Sequence, residues 1–244
     1  MIHYLFYRGR ACRVKENEFN AGADRGVGFA LCEEFAAHGF RVLAGQYMPE
    51  WGALAELAEK YPGQVECILL DVSDTASVQE AVRTASELVD RIDILVNCAG
   101  IIRDDSRKGI YDTMNTNTVG TLRTVELFLP LMKAGRRRLC FFSSEAGSIS
   151  MLHRTGDGDT SYCVSKAMLN MTVRLMFNEL RPEGYTFRVY HPGWVRSYMS
   201  GKKADRGHYE PEESAAVAFR QFTQERSFED ALVMTDIKGE VWPF

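Results

Sequence analysis

AGADRGVG, residues 21–28, sets three glycines in the spacing G-x-x-x-G-x-G immediately ahead of an amphipathic stretch. Glycine permits the tight backbone turn such a junction needs, and it lets phosphate oxygens approach main-chain N–H groups and the start of a helix. The spacing differs from the commoner G-x-G-x-x-G, so the meaning of the loop depends on its surroundings.

Outward from that loop, short apolar runs alternate with longer stretches of helical periodicity. Strands are expected at 40–46, 65–71, 92–97, 138–144, 185–192 and 230–236, and helices at 26–38, 51–60, 74–90, 112–133, 160–181 and 211–225. Runs such as CILL and ILV are apolar at every position, which suits strands covered on both faces. The alternation predicts an α/β fold of Rossmann type, a doubly wound parallel sheet with helices on both faces. Ligands of such sheets bind at the carboxyl ends of the strands, where strand order reverses. No linker, repeat or low-complexity tract interrupts the pattern, so residues 1–244 read as one domain with an atypical segment at 1–20.

Bulk properties exclude several classes. A net charge of −4 argues against a nucleic-acid or membrane surface as partner. The one dense basic cluster, Arg136-Arg137-Arg138, reads as a solvated turn. Cysteines 12, 32, 67, 98, 140 and 163 show no CxxC pairing or nearby histidine, so free thiols of a reducing compartment are expected and no metal site. MIHYLFY is too short for a signal segment, and no window approaches a membrane span, so the cytoplasm is the expected location.

Tyr162 and Lys166 stand four positions apart in SYCVSKAMLNM, on one face of an expected helix. An ammonium beside a phenol stabilises its anion and suits the pair to proton transfer near neutral pH. Upstream, one strand ends in Asp71-Val72, a second in Asn97-Cys98-Ala99-Gly100 and a third in Ser143-Ser144. In order and spacing, GADRGVG, LDV, VNCAG, NTVG (117–120), SSEAG, YCVSK and HPGWVRS resemble the short-chain dehydrogenase/reductase family from residue 21 onward. HPGWVRS and the ending KGEVWPF look more narrowly similar to small carbonyl reductases and C-factor-like members.

The resemblance implies an NADP(H)- or NAD(H)-dependent oxidoreductase acting on a small carbonyl or alcohol. Tyr162 would be the general acid, with Lys166 supporting it and holding the nicotinamide ribose. Ser144 would hydrogen-bond the carbonyl, and Asn117 would anchor a water leading from Lys166. Gly22, Asp24, Arg25, Gly26, Val27 and Gly28 would hold the dinucleotide, with Asp71 and Val72 at the adenine. Asn97, Ala99 and Gly100 would line it with backbone, and Pro192, Gly193, Val195 and Ser197 would pass the nicotinamide. A homodimer or homotetramer through helices 112–133 and 160–181 is implied by relatives.

Several features depart from this pattern. Eighteen residues separate Ser144 from Tyr162, so Ser143 or Ser148 could take the serine role. The second strand ends at Gln46, where an NAD site would carry an acid, and Arg25 stands ready for a 2′-phosphate. A serine hydrolase is disfavoured because Ser144 lacks a G-x-S-x-G elbow. VKENEFNA (14–21) is polar where the first strand should be apolar, so a short, frayed or partly wetted strand is expected, or a start that is not the natural one. That departure motivates the alternative reading, a non-catalytic scaffold with a signalling role and weak or no nucleotide binding.

Overall fold

The structure, a computed structural model, describes residues 16–153, 156, 158–199, 202–227 and 229–244. Its strands are β1 (Asn17–Ala21), β2 (Arg41–Gln46), β3 (Val65–Leu69), β4 (Ile94–Asn97), β5 (Arg138–Phe142), β6 (Thr186–His191), β7 (Met234–Asp236) and β8 (Val241–Trp242). All belong to one sheet ordered β3-β2-β1-β4-β5-β6-β7-β8. Every pairing is parallel except β7 with β8, and the order reverses between β1 and β4. The helices are α1 (Gly26–Ala37), α2 (Ala53–Lys60), α3 (Thr75–Leu88), α4 (Arg107–Met114), α5 (Gly120–Met132), α6 (Asp159–Leu180) and α7 (Pro211–Thr223). Among the described residues, no helix is long and apolar enough to cross a membrane.

Alternate residues of each strand feed two core layers, as a pleated sheet covered on both faces requires. Phe19, Leu43, Leu95 and Phe141 pack with residues of α3, α5 and α6 on one side. Val42, Ala44, Ile94 and Val96 pack with residues of α1, α2 and α7 on the other.

Three expectations are corrected. First, β1 is neither frayed nor wet: it lies between β2 and β4 in the interior of the sheet. Glu18 within it is 0% exposed, and neither of its carboxylate oxygens has a partner. Burial alone pushes this carboxyl well above its usual range, which favours the neutral form over a buried charge.

Second, the helix expected at 112–133 is interrupted. A π-helical turn at Asn115–Val119 joins α4 to α5. There the Asn117 side chain bonds the main chain of Ile101 in both directions, and the Thr118 hydroxyl donates to the Ser165 carbonyl. Such single turns mark places where side chains divert the helical ladder, often at functional sites.

Third, the basic run is not a solvated turn. Arg138 is 1% exposed, and its guanidinium donates to the carbonyls of Phe222 and Gln224 and to Glu225. Arg136 meets Glu16 at 3.2 Å and the Thr223 carbonyl at 2.6 Å. A guanidinium tolerates burial where its fixed fork of donors finds acceptors, and here the run ties the start of β5 to the end of α7.

Candidate active site

β3, β5 and β6 end short of the expected 71, 144 and 192, and the residues left over, Leu70, Asp71, Ser143, Ser144 and Pro192, wall a cleft. It holds about 650 Å³ at the carboxyl ends of the central strands. That capacity and position match the ligand sites of doubly wound sheets.

The glycine loop forms one end of it. A Cβ on Gly22, whose φ is +107°, would lie 2.4 Å from the Ala99 nitrogen, and one on Gly28 would lie 2.0 Å from the Gly22 oxygen. Neither position admits a side chain. Arg25, the residue before α1, makes no side-chain cap, and the first turn of that helix carries no acid. The positive end of α1 is therefore left to whatever occupies the cleft, an arrangement that fits a dinucleotide's diphosphate.

Asp24 ties the loop down: its carboxylate accepts from the main-chain nitrogens of Tyr47 and Met48 at 2.8–3.0 Å. Arg25 donates to the Met48 sulfur at 3.0 Å and lies 5.1 Å from the centre of the Trp51 ring. Gln46 is buried and does not reach the wall; the wall residue beyond β2 is Tyr47, 64% exposed. Asp71 accepts from both the main chain and the hydroxyl of Ser73, and it is Asp74 that caps α3.

Ser144, Tyr162 and Lys166 share the wall with Pro192, Gly193, Val195 and Ser197, and Ser197 lies beside the glycine loop, its Cβ 4.0 Å from where a Cβ on Gly26 would stand. Ser144 accepts from the Ala146 nitrogen at 3.1 Å. Ser143 instead donates to Asn170 at 2.6 Å, and Ser148 is buried off the wall. The Lys166 ammonium lies 5.7 Å from the centre of the Tyr162 ring, and burial pulls its pKa down to about 8.

Val27, Val72, Ala99 and Gly100 also line the cleft, whereas Asn97 and Asn117 do not. Asn97 donates to the Cys140 carbonyl, and Asn117 braces Ile101 and Ser165.

Sequence reasoning missed Glu145 and His191, which face each other across the wall with oxygen and nitrogen 2.9 Å apart. Their only signal was adjacency, one following Ser144 and the other preceding Pro192. Chemically, the cleft wall offers a phenol, an ammonium and a hydroxyl, able to deliver a proton to an oxygen and to hydrogen-bond a developing oxyanion.

This fold and cleft are those of a nucleotide-binding α/β oxidoreductase, and the chain belongs to the short chain dehydrogenase family, which it matches over residues 20–207. It is 34% identical over 233 residues to an uncharacterized oxidoreductase of Schizosaccharomyces pombe, covering 89% of each chain. It is also 37% identical over 120 residues to C-signal of Myxococcus xanthus, covering 46% of this chain and 71% of that protein. Among solved structures, NADPH-bound carbonyl reductase from chicken fatty liver superposes with a TM-score of 0.82 at 25% identity, covering 94% of this chain and 99% of that one.

Proposed function

We propose that this protein is an NADP(H)-dependent oxidoreductase that interconverts a small carbonyl compound and its alcohol. The observation that carries the reading is one cleft walled both by a glycine loop with an open helix start and by Ser144, Tyr162 and Lys166. A bound nicotinamide coenzyme supplies or accepts the hydride. The Ser144 hydroxyl hydrogen-bonds the substrate oxygen, which gains negative charge during reduction. Tyr162 gives that oxygen its proton, and the Lys166 ammonium stabilises the phenolate left behind. Asn117 acts at one remove, holding the π-helical turn and the Ile101 backbone in place.

Preference for the 2′-phosphate form is supported by Arg25 on the wall and by the NADPH held in the chicken carbonyl reductase. Among the described residues, Cys32, Cys67, Cys98 and Cys140 are free thiols, which supports the cytoplasm as its location. Exposed Val164, Met168, Met171 and Leu175 follow i, i+4, i+7, i+11 along α6, a stripe that suits a second copy in a homodimer or homotetramer. The scaffold alternative drew on a degraded first strand, and with β1 laid into the sheet that ground for it is removed.

The test is a fluorescence titration with NADPH followed by its consumption against aldehydes, ketones and diketones. Tyr162→Phe keeps the shape and removes the donor. Turnover is expected to fall ~10²–10⁴-fold while NADPH still binds, as for loss of a general acid. Near-normal turnover in that variant, or no NADPH binding by the parent protein, overturns the reading.

A further inference from the structure

The helix that carries Tyr162 does not cap itself. The residue before α6 is Gly158, held at φ +81° and without a side chain to offer. The first N–H groups of a helix have no partners within it and must find them elsewhere. Here they find Asp105, more than fifty residues earlier, in the loop between β4 and α4. Its carboxylate accepts from the nitrogens of Gly158 at 3.1 Å, Thr160 at 3.4 Å and Ser161 at 2.7 Å. The remaining N–H of the turn, that of Asp159, donates to the Gly156 carbonyl at 3.2 Å.

These contacts hold the Asp105 carboxyl below its usual range, the Ser161 N–H contributing most. A negative charge there also complements the positive end of a 22-residue helix.

The loop that supplies Asp105 is itself braced. Ile101 is fixed in both directions by Asn117, and the Arg103 carbonyl accepts from the Ser161 hydroxyl at 2.8 Å. The Gly158 carbonyl then accepts from the Tyr162 nitrogen at 3.2 Å, so one carboxylate holds the residue against which Tyr162 makes its first helical bond. Ala99, Gly100, Ile101, Ile102 and Arg103 line the cleft on the way.

We propose that Asp105 is a positioning residue of the active site: by capping α6 from the loop after β4, it sets the height and orientation of Tyr162. α6 starts from a glycine, and Asp105 supplies the side-chain cap that its own start lacks. The inference rests on the assignment of Tyr162 as the acid, but its geometric part does not.

The experiment uses Asp105→Asn, which preserves size but presents an amide donor in place of one carboxylate oxygen. Amide hydrogen exchange at residues 158–162 is expected to accelerate roughly fivefold, the change that loss of a typical cap produces, with the sheet unaffected. Turnover with NADPH and a reducible ketone is expected to fall about tenfold, since small displacements of a catalytic group carry penalties of that order or more. The KM for NADPH should stay within about twofold. Introduced into Tyr162→Phe, the same change should have no further effect on turnover.

Unchanged exchange at 158–162 overturns the capping role, whatever the protein catalyses. Faster exchange accompanied by an equal loss of turnover in the Tyr162→Phe background overturns the link to the acid. If the parent protein reduces nothing, that failure belongs to the proposed function, and exchange still decides the cap.

Discussion

The Lys166 Nζ donates to the main-chain oxygen of Phe142 at 2.8 Å, joining the face of α6 to the last residue of β5, two positions before Ser144. This contact ties the helix that carries Tyr162 to the strand that leads into Ser144. It also places an ammonium where burial opposes its charge.

Substituting Lys166 by methionine should therefore stabilise the fold while abolishing turnover. Burial lowers the Lys166 pKa from 10.5 to about 8 in the folded protein. Between those pH values the unfolded chain binds the extra proton, so stability rises with pH across that window, and below pH 8 the penalty is fully present. The shift corresponds to ~3 kcal/mol, and loss of the charge-assisted Phe142 hydrogen bond returns ~1.5 kcal/mol. Urea unfolding should show Lys166→Met about 1.5 kcal/mol more stable at pH 7, with the advantage lost by pH 10.5. A variant no more stable than the parent at pH 7 would contradict the burial penalty.

What could be read from the sequence was periodic or local. The glycine loop, the strand–helix alternation and the Tyr162–Lys166 pair each lie within a few residues. The misses were long-range. The π-helical turn follows from Asn117 bonding a residue 16 positions away, and the Asp105 cap spans 53 to 56 positions. His191 and Glu145 come from different strands' ends. Arg138 looked solvated because charge runs usually are, yet strand alternation turned it inward toward carbonyls supplied by the end of α7.

Glu18 yields a prediction of opposite pH dependence. Its register partners are Val42 and Ile94, and the nearby thiols of Cys98 and Cys140 are pushed up to about 12, chiefly by burial with a contribution from Glu18. The unfolded chain releases this proton near pH 4.5, whereas the folded protein retains it well above that value. Stability consequently falls as pH rises past 4.5, by up to about 1.4 kcal/mol per unit, until the folded carboxyl titrates. Glu18→Leu removes the burial penalty at similar volume. Thermal unfolding should place it above the parent at pH 8, with the difference shrinking toward pH 5. A difference that does not vary between those pH values would show that the carboxyl is not the cause.

The last prediction concerns the coenzyme. Arg25 forms no ion pair among the described residues; its guanidinium touches the Met48 sulfur and the Trp51 ring face on the cleft wall. A guanidinium so placed can take a phosphate through two parallel hydrogen bonds. Each charge-assisted contact is worth ~1.5–3 kcal/mol, or roughly ten- to a hundredfold in affinity. Arg25→Ala should weaken NADPH by about that factor and leave NADH within about twofold.

An acid introduced to favour NADH does not belong at Gln46, which is buried in β2, but at Tyr47, which is exposed on the cleft wall. A carboxylate there could accept from the ribose 2′-hydroxyl and would repel a 2′-phosphate. The Tyr47 and Met48 main-chain nitrogens are already committed to Asp24, so the side chain, not the backbone, must make the distinction. The double variant Arg25→Ala/Tyr47→Asp should bind NADH more tightly than NADPH in calorimetric titrations. If Arg25→Ala weakens both coenzymes equally, Arg25 supports the loop through Met48 and Trp51 and does not read the phosphate.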